Sequence, residues 1–121
     1  MGDEPLCTLA RVHFAELHDA ETVNRRLALA FAGQKQAAHV RRSHQFHGRF
    51  ENTYIDAEYL PELAPVSALA LRMARSLLGT SELRHGFWFN EMQPGQRTSL
   101  HTHEELDERL SAVYYVTCPD Y

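Results

Sequence analysis

Residues 101–108 read His-Thr-His-Glu-Glu-Leu-Asp-Glu. In extended backbone, residues i and i+2 project from one face, so His101 and His103 would point together and two imidazoles can meet one cation. Glu104, Glu105, Asp107 and Glu108 offer a hard oxygen ligand a few residues on. Two histidines and one carboxylate on one side of a metal, with the opposite positions open, form the donor set that suits non-haem Fe(II). The same letters also describe a polar surface turn between strands, and short motifs generate such coincidences. The surroundings favour the metal: a Pro94-Gly95 turn precedes the pair, an aromatic run precedes the turn, and a β-rich run follows.

Those flanking elements must do the positioning. Leu83 to Met92, with Phe87, Trp88 and Phe89, reads as a buried strand, with Trp88 in the core. Leu110 to Thr117 (Leu-Ser-Ala-Val-Tyr-Tyr-Val-Thr) is the strongest β run in the chain. Upstream, Pro65 opens a helix whose Val66, Leu69, Ala70, Met73 and Leu77 follow a 3.6-residue period, and Gly79 closes it. A second helix is expected from Asp19 as N-cap to about Ala32, with Val23, Leu27 and Phe31 on one face and Gly33 as stop. Leu6 to Leu17 alternates imperfectly and reads as a strand, and Gln34 to Asp56 as loop followed by a short strand. Helices first and strands later give an α+β domain with helices supporting one face of a sheet.

The bulk numbers exclude several classes. At 121 residues the chain is one domain, 1–121, with a helical lead-in over about 1–80 and a β-rich motif region over about 83–121. A net charge of −4 implies no general affinity for nucleic acid or an anionic membrane. Cys7 and Cys118 make no disulfide framework, the acidic N-terminus lacks a secretory h-region, and Leu6 breaks the myristoylation motif that Gly2 would begin. A reducing, cytoplasmic setting is the expectation. The Lys35 to Arg49 stretch mixes cations with His39, His44 and His47. It is either a substrate-facing loop that attracts an anionic partner or a solvated surface loop, the commoner role of charge runs.

Phe87-Trp-Phe-Asn-Glu-Met-Gln-Pro-Gly95, His101-x-His103, Leu110-Ser-Ala-Val-Tyr-Tyr-Val116 and Pro119 together resemble the central motif of a prolyl-hydroxylase-like branch of the 2-oxoglutarate- and Fe(II)-dependent oxygenases. The resemblance extends over about residues 45–121. It implies a partial double-stranded β-helix (jelly roll) with supporting N-terminal helices, and Fe(II) and 2-oxoglutarate as cofactors. In that family an HxD or HxE pair and a more distant histidine hold iron, and a basic residue, often with a tyrosine, holds the far carboxylate of 2-oxoglutarate. Carried over, His103 with Glu105 restores HxE, whereas anchoring on Gly95 puts His101 first and His103 on the acidic position, a departure from the pattern. Tyr115 becomes the candidate for the co-substrate carboxylate, with Tyr114 facing the other way, and Asn90 a further candidate in the same cavity. A second resemblance, to the first cupin motif, runs from Gly95 through His101 and His103 to Glu108, and departs where Tyr115 stands in place of a closing glycine.

The resemblance also implies a distal histidine and a basic residue beyond Pro119, so the chain is expected to be the first part of a longer domain. His44, His47 and His85 are the upstream substitutes, although no spacing demands them. The expected substrate is a small molecule or peptide, hydroxylated in the complete enzyme. An open sheet edge at Val113 to Thr117 would favour a homo-oligomer. A non-catalytic jelly-roll fragment serving as a binding module is the reading from a different class.

Overall fold

The structure, a computed structural model of the chain, describes residues 12–96 and 109–117. Its elements are helix α1 (Ala20–Gln34), strands β1 (Arg41–Phe46) and β2 (Arg49–Tyr54), two 3₁₀ turns (Ala57–Tyr59 and Pro61–Leu63) and helix α2 (Ala64–Leu78). The fold is mixed helix and sheet, and the described residues hold a single two-stranded antiparallel sheet, β1-β2.

Helix α1 forms where the expected apolar stripe lies. Leu27 is fully buried at its centre, and Ala30 and Phe31 pack beside it. Its start is at the expected residue and its end is not. Asp19 sits at the N-cap with φ 56° and makes no side-chain capping bond. Gly33 does not stop the helix, because the Lys35 N–H still bonds the Phe31 carbonyl at 2.9 Å. Glycine weakens a helix by only about 1 kcal/mol, so without a left-handed turn to follow it is no terminator.

The stretch read as loop plus short strand is a hairpin. Arg41 pairs with Tyr54, Arg42 with Thr53, Ser43 with Asn52, Gln45 with Phe50 and Phe46 with Arg49. The two loop residues, His47 and Gly48, both have positive φ (51° and 78°). This is the two-residue turn whose twist matches that of the strands, here with histidine in the place usually held by Asn or Asp.

After β2 the chain enters the core. Ile55, Leu60 and Leu63 are buried with Leu27 and Val40, and Val66, Phe87, Phe89 and Val116 pack against them. Pro61 and Pro65 stand in first turns, where a missing N–H costs nothing. Helix α2 ends at Gly79 as expected, with φ 67° and its N–H on the Arg75 carbonyl at 2.9 Å. Open space surrounds the position where a Cβ would stand. Gly79→Ala is therefore expected to cost about 1 kcal/mol through backbone conformation alone, read as a shifted denaturation midpoint with an unchanged slope. No side chain of α2 is buried.

Three further expectations are corrected. Residues 12–17 form no strand, with Val12 72% and Phe14 91% exposed. Leu83 to Met92 forms no strand and makes one backbone bridge to the sheet, Thr53 to Phe89, and Trp88 is 45% exposed rather than core. Residues 110–117 carry no ladder, so the expected sheet edge at Val113 to Thr117 is not formed. The alternation that prompted those readings is nonetheless present. Val113 and Tyr115 face out, while Tyr114 and Val116 face in. Period-two burial requires extended backbone on an apolar surface, not a paired neighbour.

Candidate functional site

The region leading to the histidine motif is fixed on the hairpin by residue 53. Thr53 and Phe89 exchange both backbone hydrogen bonds, at 2.9 and 2.8 Å. The Phe89 ring turns inward, 4.8 Å from Phe31 and edge-on to Phe87 at 6.1 Å. Trp88 consequently turns outward, 6.4 Å from the Tyr54 ring.

Immediately beyond this anchor the chain meets cationic side chains from two other elements. Arg49 of β2 donates from Nη1 to the Asn90 Oδ1 at 3.0 Å and to the Glu91 carbonyl at 3.3 Å. Lys35, just past α1, donates to both Glu91 carboxylate oxygens at 3.2 Å and lies 5.9 Å from the Phe31 ring centroid. Arg42 of β1 donates to the Lys35 carbonyl. These groups line a groove of about 180 Å³ walled by Phe31 and Phe50. A neighbouring cleft of about 320 Å³ is lined by His47, Arg49, Gly95 and Gln96, so Arg49 stands between the two. The Pro94-Gly95 turn forms as expected: the Gln96 N–H bonds the Gln93 carbonyl at 3.0 Å, and Gly95 takes φ 85°, which glycine adopts without steric cost.

His101, His103, Glu105 and Glu108 lie outside the described residues. Asn90 is exposed and bonded by Arg49, which itself lines the cationic groove. The Tyr115 phenol is exposed at 70%, and Tyr114 instead turns onto α1 and donates to the Asn24 Oδ1. Burial holds the Tyr114 phenol above its ordinary value of 10.0, partly offset by the Asn24 side chain. The folded chain thus keeps this proton where the unfolded chain releases it. The stabilisation is fully present below about pH 10 and is lost as pH rises through the folded value. Tyr114→Phe should remove this alkaline term and cost about 1 kcal/mol for the lost hydrogen bond, measured by denaturation at neutral pH and above pH 10.

The upstream histidines do not converge. His44 has φ 60°, interrupting its pairing opposite Glu51. Its Nδ1 lies 2.7 Å from the Ser43 Oγ and 3.3 Å from the Asn52 Nδ2, and Ser43 and Asn52 both donate to the Tyr54 hydroxyl, at 3.2 and 2.9 Å. This network ties the two strands together and lines neither cleft. His47 caps the hairpin, edge-on to Phe46 at 4.3 Å, and His85 is exposed. Among the described residues, no three His, Cys, Asp or Glu side chains group as a metal site, and no helix is long and apolar enough to cross a membrane.

The Arg49–Asn90 and Lys35–Glu91 contacts were not foreseen, because they join residues 41 and 56 positions apart. Once 41–54 is recognised as a hairpin, a weak signal exists. Arg42 and Thr53 are cross-strand partners, and Arg49 and Thr53 share a strand parity, which places all three on one face of the hairpin, whose β2 edge pairs with Phe89. Comparison of the chain with protein families, curated proteins and solved structures gives no match.

Proposed function

We propose that this chain carries the first metal-ligand motif of a jelly-roll oxygenase-type domain that uses Fe(II) and 2-oxoglutarate to hydroxylate a small molecule or peptide. One observation carries the reading: the run from Phe87 through Pro94-Gly95 to His101-x-His103 and Leu110–Val116, with its aromatic lead-in docked on the hairpin and its glycine turn formed.

The donor chemistry fits the metal. Imidazole suits Fe(II), and a carboxylate as third ligand lowers the charge of the centre while leaving other positions open. His103 with Glu105 is the preferred pair, and His101 contributes the second imidazole. Bound there, iron would supply the open coordination positions at which 2-oxoglutarate and O₂ meet. The chain's own residues hold and orient. Asn90, fixed by Arg49, and the exposed phenol of Tyr115 offer neutral hydrogen-bond donors to the co-substrate's carboxylate. Phe87 and Phe89 pack against the core and fix the aromatic lead-in to the motif.

The Gly95, His101, His103 and Glu108 spacing favours a second reading, a cupin-type metal enzyme. The complete protein, in which the resemblance places the distal histidine and the basic residue, should form succinate in step with 2-oxoglutarate loss when supplied with Fe(II) and O₂. Metal binding that ignores 2-oxoglutarate and yields no succinate would favour the cupin. No metal binding would leave the chain as a non-catalytic binding module.

A further inference from the structure

The groove between the end of α1 and the hairpin is cationic in a chain whose net charge is −4. Among the described residues that line it, Lys35, Arg42 and Arg49 meet one carboxylate, Glu91. Glu91 balances Lys35, whereas Arg42 bonds a neutral carbonyl, which leaves its charge uncancelled by that contact. The three cations sit at the end of α1, on β1 and on β2, and the hairpin brings them to one groove. Phe31 and Phe50 give the same groove apolar walls, and Phe50 is 44% exposed.

We infer that this groove binds the carboxylate of an organic acid whose apolar body lies along Phe31 and Phe50. A guanidinium presents a planar fork of donors that matches a carboxylate. Glu91 selects for low charge, because it repels a phosphate dianion more strongly than a carboxylate monoanion at the same distance. The groove, of about 180 Å³ and open to solvent on one side, is of a size that a carboxylate on a short hydrocarbon fills. The inference goes beyond the proposed oxygenase reading and needs neither His101 nor His103. It gives the Lys35 to Arg49 stretch the anion-attracting role that its composition left open.

The test uses the metal-free full chain, with phenylacetate as probe, phenylacetamide as its uncharged counterpart, and inorganic phosphate. Amide chemical shifts of Phe50 and Thr53 and the fluorescence of Trp88 report binding. Phenylacetate should bind saturably and at least ten times more tightly than phenylacetamide or phosphate. Arg42→Gln and, separately, Lys35→Met should each weaken phenylacetate at least fivefold without changing phenylacetamide, while circular dichroism stays that of the wild type. Equal shifts with acid and amide, tighter binding of phosphate, or phenylacetate binding unchanged in both folded variants would overturn the inference. Because no iron is present, these outcomes are independent of succinate formation, which tests the oxygenase reading alone.

Discussion

Leu27→Ala is expected to remove about 2–5 kcal/mol of folding stability. Leu27 is completely buried and is surrounded by the few side chains that form the core: Val40, Ile55, Leu60 and Leu63. Truncating a buried leucine costs about 2–5 kcal/mol, the larger values where the site cannot collapse. Here collapse is restricted, because Leu27 bridges a helix and the segment of Ile55, Leu60 and Leu63, which two 3₁₀ turns hold in place. A domain of this size has about 5–15 kcal/mol in total, so one such cavity removes a large share. Equilibrium urea denaturation checks it, with a midpoint lowered by about 1–2 M expected from a typical slope of about 1–3 kcal/mol/M. Leu29→Ala, on the exposed side of the same helix at 70% exposure, is the control and should move the midpoint little.

The second large effect concerns metal. His101→Ala and His103→Ala should each weaken Fe(II) binding by at least about 100-fold, since loss of a mere hydrogen-bond partner of a ligand already costs 10–100-fold. The carboxylates separate the two readings. In the oxygenase arrangement Glu105→Ala has an effect of the same order and Glu108→Ala little, whereas in the cupin arrangement the order reverses. Anaerobic Fe(II) titration by calorimetry, with denaturation midpoints to show that each variant folds, distinguishes them. Loss of binding in neither histidine variant would remove the metal from the account.

The elements best legible in the sequence were those where periodicity and a conformationally special residue agree. In α2, Pro65 at the start, the apolar spacing and Gly79 at the end all point the same way, and the helix spans Ala64–Leu78 with Gly79 left-handed. In α1 the stripe predicted Leu27 inside and Asp19 stands at the N-cap, though without a side-chain capping bond, whereas Gly33 misled, because the helix runs on to Gln34. The hairpin was missed because its turn, His47-Gly48, lacks the Asn or Asp that usually announces a positive φ, and because His44 breaks the alternation of β1. The strands expected at 83–92 and 110–117 show how alternation can be read correctly and paired wrongly. Phe87, Phe89, Tyr114 and Val116 do face inward, yet they meet helix and turn residues, with one bridge to β2. Of the candidate site, the sequence supplied the ligand types and their spacing. It could not supply Arg49 beside Asn90 or Lys35 against Glu91, since contacts between distant segments depend on a register that no local pattern encodes.

The groove and the histidine motif make separate claims, and the histidine motif is the central one. Its most direct test is Fe(II) affinity of the wild-type chain measured anaerobically with and without 2-oxoglutarate. A co-substrate that joins the same metal must tighten it, by linkage, as much as the metal tightens the co-substrate. The account predicts one Fe(II) per chain, held at least several-fold more tightly when 2-oxoglutarate is present. Fe(II) affinity that is absent, or identical in the presence and absence of 2-oxoglutarate, would contradict it.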